Sequence, residues 1–280
     1  MEKWNLIIDV ERCENCNNCV LATKDEHIGN DFPNYAAPMP MHGHEWIRIG
    51  RQVRGATPMV DVAYRPTTCN QCDNAPCVAA GGGAVSKRAD GIVIIDPVKA
   101  KGRNDLVDAC PYGAIWWNEE LKLPQKWIFD AHLLDQGWKE PRCAQACPTG
   151  AMKALKADDA RMHALAQAEK LEVLQPELGT QPRVYYKNLH RWNQCFIAGS
   201  VTAVIGGVEE CVQGAKVLML RNNTLVGEAN TDAFGDFKVD RIAPGSGDYT
   251  VNIAHELHGS AQVHASVVES IYLGSIHLAR

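Results

Sequence analysis

The chain has 280 residues, 46% hydrophobic and 22% charged, which is ordinary for a globular protein and enough for two domains. A net charge of −5 and a pI near 6.1 offer no basic surface for nucleic acid. The N-terminal MEKWNLIIDVERC lacks an apolar run of signal length, and no segment approaches the ~18 apolar residues of a membrane span, so a cytoplasmic chain without a membrane anchor is expected, exported only if a partner carries the signal.

In chain order, WNLIIDV (4–10) and GIVIID (91–96) are apolar, β-branched runs that read as strands, each followed by cysteines or by a cysteine-like spacing, which suggests an internal repeat. KADDARMHALAQAEKLEVLQP (156–176) reads as a helix capped by Asp158 and ended by Pro176. PRVYYKNL (182–189) reads as a strand or extended connector. From about 197 the pattern is all-β: GAKVLML, TLVGEANT, GDFKVDRI, GDYTVNIA, AQVHASVV and SIYLGSIHLA alternate with turn sequences, as in a small sandwich or barrel, and hold no catalytic constellation.

Nine of the eleven cysteines lie within residues 13–147; only Cys195 and Cys211 lie beyond. The odd count and CxxC spacings, in a reduced compartment, point to metal ligation rather than disulfides. Bacterial ferredoxins hold iron–sulfur clusters on the run Cys-x2-Cys-x2-Cys-x3-Cys-Pro, whose fourth cysteine ligates the other run's cluster. Here Cys13, Cys16 and Cys19 keep the first three positions, with Thr23 at the fourth; Cys69, Cys72 and Cys77 do the same, with Gly81 at the fourth. Cys110-Pro111 keeps a fourth position behind Ala100, Arg103 and Leu106, and Cys147-Pro148 keeps one behind Trp127, Asp130 and Cys143. Two triplets and two remote Cys-Pro pairs complete two four-cysteine sites, and the remnants cannot make a third. The spacings leave open which triplet takes which Cys-Pro. A four-cysteine zinc site also uses CxxC pairs, but CxxCxxC with a remote Cys-Pro suits a cubane better. Cys143, Cys195 and Cys211 read as packed, inert thiols.

CENCNNC, CNQCDNAPC, KRADGIVIIDP, DACPYGA and RCAQACPTGA together resemble the iron–sulfur subunits of molybdopterin oxidoreductases of the dimethyl-sulfoxide-reductase type, over residues 1 to about 195. The resemblance implies an α+β fold of tandem bacterial-ferredoxin-like modules, 1–65 with 120–155 and 66–119, followed by a helix and connector over 156–195. It also implies the pairing that spacing left open: one [4Fe–4S] cluster on Cys13, Cys16, Cys19 and Cys147, and a second on Cys69, Cys72, Cys77 and Cys110. NAPCVA, ACPYGA, WNEE, AHLLD and PELGTQPRVYYKNLHR resemble more narrowly the small subunits of phenolic-ring enzymes of the pyrogallol–phloroglucinol transhydroxylase and resorcinol hydroxylase type. That likeness extends to a C-terminal β-domain over 196–280, similar to transthyretin-like or carboxypeptidase-regulatory-like modules. Such subunits imply a large catalytic partner holding molybdenum and molybdopterin guanine dinucleotide, and an external electron acceptor where the reaction is a net oxidation. The transhydroxylase type has one cluster more, which Thr23, Trp127 and Asp130 remove here. By the same arrangement the first cluster faces the molybdenum site, and the second serves chiefly to crosslink its segments.

The competing readings are a free two-cluster electron carrier and a zinc-stabilised scaffold. Within the remnant, Trp127 and Phe129 are expected to fill space, Asp130 to be solvated or paired with Lys126 or Arg142, and Cys143 to be packed. His42 and His44 read as solvated or core histidines before ligands, and Trp116, Trp117, Trp138 and Trp192 as core or interface residues.

Overall fold

The computed structural model describes residues 1–279, which divide into two compact units: Met1–Gly50 with Tyr64–Leu189, and Arg51–Ala63 with His190 onward. The first unit opens on strand β1 (Lys3–Asp9) and helix α1 (Asn18–His27). A hairpin of β2 (Ile47–Ala56) and β3 (Met59–Thr68) follows; its tip, 51–63, counts with the second unit, although composition alone puts it in the first module. Next come α2 (Pro76–Gly81), β4 (Val85–Lys87), β5 (Val93–Ile95), α3 (Asp105–Asp108), β6 (Trp116–Asn118), β7 (Leu123–Gln125), α4 (Ala131–Asp135) and α5 (Arg142–Gln145). The unit ends with β8 (Met152–Ala157), α6 (Asp159–Glu169) and β9 (Val184–Lys187).

β1 is the centre of a three-stranded sheet, antiparallel to β8 and parallel to β9. Leu6 and Ile8 alternate onto one face and are fully buried, as the period of two in a half-polar strand requires. Asn5, on the other face, is buried but satisfied: its Nδ2 donates to the Lys3 carbonyl and its Oδ1 accepts from Arg183. The β4–β5 and β6–β7 pairs are separate short ladders.

The helix read over 156–176 is shorter at both ends. Lys156 and Ala157 finish β8, and α6 stops at Glu169. Lys170 turns left-handed at φ 52°, and its N–H and that of Leu171 close on the last-turn carbonyls. Glu172 then exchanges backbone hydrogen bonds with Tyr186, drawing the chain to the sheet edge, and Pro176 begins a 3-10 turn instead of ending the helix. Asp158 does cap the start, its Oδ1 accepting from Arg161 N at 2.8 Å.

The second unit holds α7 (His190–Asn193) and eight strands: β10 (Cys195–Ile205), β11 (Val208–Cys211), β12 (Lys216–Arg221), β13 (Thr224–Asn230), β14 (Asp236–Ile242), β15 (Gly247–His255), β16 (Gly259–Val267) and β17 (Ile271–His277). One sheet runs β11-β10-β14, with β17 also pairing β10; the other runs β13-β12-β15-β16. Inward residues of both, among them Ile197, Val201, Phe237, Val217, Val251 and Ile253, form one core. The six strand runs read from sequence correspond to β12–β17; residue pattern does not separate β10 and β11 from the connector. Arg54, buried on the hairpin tip, binds the carboxylates of Asp61 and Asp240 and the carbonyls of His190 and Gln194, pinning the tip to β14 and α7.

Replacing Asp158 by alanine removes the side-chain cap of α6 and is expected to cost about 1 kcal/mol, read as a lowered urea midpoint.

Candidate metal centres

Four loops of the first unit repeat one backbone design. Their four ligand-type positions are 13, 16, 19 and 23; 69, 72, 77 and 81; 100, 103, 106 and 110; and 127, 130, 143 and 147. The residue just before the second position is left-handed in every loop, with φ 58° at Asn15, 48° at Gln71, 78° at Gly102 and 58° at Phe129. The third position is the second residue of a short helix in every loop: Cys19 of α1, Cys77 of α2, Leu106 of α3 and Cys143 of α5. All four of these side chains are buried. Glycine and asparagine enter the left-handed region at little cost, whereas Phe129 incurs about 1–2 kcal/mol there.

The cysteines gather into two sets. Burial first, and then the neighbouring sulfurs of Cys13, Cys147 and Cys16, push the Cys19 thiol up to about 12. Cys13 is raised in the same way, burial leading and Cys147 and Cys16 following. In the other set, burial and then Cys69, Cys110 and Cys77 push Cys72 up to about 12. Cys77 is pushed to about 11 by burial and Cys69, and Cys110 is raised by the same two causes. Each set thus joins a triplet to one remote Cys-Pro. Backbone N–H groups soften the cost of thiolate character: Asn15 N–H toward Cys13, Val20 N–H toward Cys19, and Ala114 N donating to Cys110 Sγ at 3.4 Å. Four thiols with amide donors on half-buried loops are the donor set an iron–sulfur cubane takes, and the residues fit that group. Binding there needs the thiolates, so it releases protons.

The two remnant sets are filled differently. In the first, Trp127 and Phe129 are fully buried, their rings 4.7 Å apart. Asp130 is fully buried and accepts from His27 Nε2 at 3.0 Å, Trp127 Nε1 at 3.2 Å and the Arg142 backbone N–H at 2.8 Å. This corrects the expected pairing. Lys126 points to the carbonyls of Val93 and Trp127, and the Arg142 guanidinium goes to Glu26 and Asp25. The true partner, His27, lies one helical turn beyond Thr23 on α1, and only that i,i+4 spacing could have suggested it. Thr23 turns its hydroxyl onto the Cys19 carbonyl at 2.9 Å. Cys143 is fully buried and its thiol is held far above its ordinary value, by burial and then by Asp130 and Cys19.

In the second remnant, Ala100 and Leu106 are apolar core. Arg103 donates to the carbonyls of Ala80 and Gly81 and forks onto Asp105. Gly81 has no room for a side chain, since a Cβ there would meet Val85 Cβ at 2.8 Å. His44 is a core histidine, its Nε2 3.0 Å from the Trp117 carbonyl and its proton affinity lowered by burial, while His42 is exposed. Among the described residues, no group of three or more His, Cys, Asp and Glu side chains is gathered tightly enough for a single metal ion. No described helix is long and apolar enough to cross a membrane.

Replacing Asp130 by alanine strands two buried donors and a part-buried one and is expected to destabilise the protein by about 3–5 kcal/mol, measured by thermal denaturation. For iron-free protein the pH dependence has a definite sign. Folded thiols at about 11–12 hold protons that unfolded thiols near 9 release, so stability is full below pH 9 and falls as pH rises toward 12. Denaturation midpoints taken across that window check it.

The 4Fe-4S dicluster domain family matches residues 60–157. The pyrogallol hydroxytransferase small subunit of Pelobacter acidigallici is 44% identical over 283 residues, covering 99% of this chain and 100% of that one. A tetrathionate reductase subunit of Salmonella typhimurium is 32% identical over 67% of this chain and 73% of its own. The arsenate respiratory reductase iron-sulfur subunit of a Shewanella species is 28% identical over 66% of this chain and 95% of its own. The chain belongs to the iron–sulfur subunits of the molybdopterin oxidoreductases, a family that includes the pyrogallol hydroxytransferase small subunit, whose whole length it shares.

Proposed function

We propose that this chain is the electron-transfer subunit of a bis-pterin molybdenum enzyme that hydroxylates or transhydroxylates phenolic aromatics. It carries two [4Fe–4S] clusters, one on Cys13, Cys16, Cys19 and Cys147, the other on Cys69, Cys72, Cys77 and Cys110. The observation that carries this reading is the electrostatic grouping of the thiols, four with four. The chemistry on the aromatic belongs to a large partner subunit that holds molybdenum and the pterin. The phenolic class comes from the full-length relative, named for pyrogallol. The clusters supply one-electron carriage; this chain's cysteines hold them, and its amide N–H groups and buried charges tune them.

The finer fold follows the same reading. The four-loop repeat supports two ferredoxin-like modules that exchange their fourth ligands, and the two facing sheets of the second unit support a transthyretin-like module over 196–280. A cytoplasmic location goes with this reading, since cysteines kept for metal are at home in a reducing compartment.

The test is iron analysis with EPR on the protein purified with its partner. Wild type is expected to hold about eight irons per chain. Cys147→Ser and Cys110→Ser should each lose one cluster, and not the same one, while Cys143→Ser keeps both. About twelve irons, or full iron in Cys147→Ser, sinks the assignment; a colourless, iron-free protein holding zinc sinks the electron-transfer role altogether.

A further inference from the structure

Among the described residues, two buried polar side chains beside the second thiol set lack what their chemistry asks for, one a hydrogen-bond partner and the other a counter-charge. Asn70 stands between Cys69 and Cys72 and is 1% exposed, yet neither its Nδ2 nor its Oδ1 meets a hydrogen-bond partner among the described residues. Leaving a buried amide unpaired is costly, so such a group implies an acceptor or donor that the polypeptide does not itself supply. Lys126 is 2% exposed. Its Nζ donates to the carbonyls of Val93 and Trp127 and makes no ion pair with any described carboxylate.

Lys87 shows what a compensated lysine looks like in the same neighbourhood. It also donates to backbone carbonyls, those of Gln71, Cys72 and Gly91, but its charge is answered by Asp73 at 2.9 Å. The charge of Lys126 instead falls on sulfur: it favours the thiolates of Cys77 and Cys110 against the burial that opposes them. In the first set the charged side chain that bears on Cys13 is the acidic Glu14, which opposes thiolate character there. A buried cation without a carboxylate is costly unless an anion is brought to it.

We propose that Asn70 and Lys126 are the potential-setting residues of the second cluster, an amide N–H and a buried ammonium placed to stabilise its more negative, reduced form. This rests on the ligand assignment proposed above. One-electron reduction adds a negative charge to a centre that is already anionic with its four thiolates. Hydrogen bonds to sulfur and nearby positive charge both favour that state and raise the potential. The second centre is then an electron-accepting site in its own right and not only a crosslink between 69–77 and 110.

The experiment is an EPR-monitored redox titration of the complex purified with its catalytic subunit, with Cys110→Ser identifying which signal belongs to the second cluster. Lys126→Met and Asn70→Leu, each of similar shape without the charge or the amide, should move that signal to lower potential and leave the other where it was. Lys126→Arg should hold the wild-type value. Unchanged potentials with full iron overturn the proposal, as do equal shifts at both clusters or an Arg variant that shifts as far as Met. Loss of the second cluster in both Lys126→Met and Asn70→Leu assigns them a scaffold role and overturns it too. If Cys110→Ser removes neither signal, the ligand assignment falls, and this inference with it.

Discussion

Desolvation of sulfur is the constraint on which the first unit depends. Cys19, Cys72 and Cys77 sit where burial makes the bare thiolate unfavourable, and each is crowded by other sulfurs that make it worse. Such a cluster of thiols is a poor core by itself. It becomes a good one when iron takes the negative charge and the loops donate amide N–H groups to what remains. Each set also spans long sequence distances, 13–19 to 147 and 69–77 to 110, so a cluster held on the proposed ligands would tie together segments that a larger apolar core would hold elsewhere.

The same constraint explains how the remnants are filled. Where a ligand set is incomplete, the loop still delivers its side chains to a buried spot, and that spot must be occupied. One remnant uses an aromatic pair and a carboxylate with three donors around it. The other uses aliphatic residues and an arginine that ties Gly81 and Ala80 by their carbonyls. Both are packed, although in the first the Nδ1 of His27, behind its bond to Asp130, meets no hydrogen-bond partner among the described residues. The first is the more delicate, because it buries a carboxyl group whose three donors all depend on it.

Much of this is legible in the sequence. The triplets and Cys-Pro pairs are local patterns, and their complementarity needs only counting. The strand at 4–10 and the cap at Asp158 are local too. What escapes depends on distant chain. Nearness in sequence matches Asp130 to Lys126 and Arg142, but His27 reaches it from another helix. The end of α6 is set by Glu172 pairing with Tyr186, so Pro176 is the wrong terminator. Lys126 and Asn70 give no signal, since an unanswered buried group is visible only once burial and partners are known.

Phe129 shows how little the backbone records the change of ligands. A left-handed aromatic residue is uphill, and nothing in its own side chain asks for that turn; Asn15, Gln71 and Gly102 hold the same place in the other three loops. The turn belongs to the architecture, not to the residue that occupies it. One frame therefore accepts a sulfur, a packed ring or an aliphatic side chain at the same loop position, so the number of metal centres such a frame can hold is written in its side chains and not in its backbone.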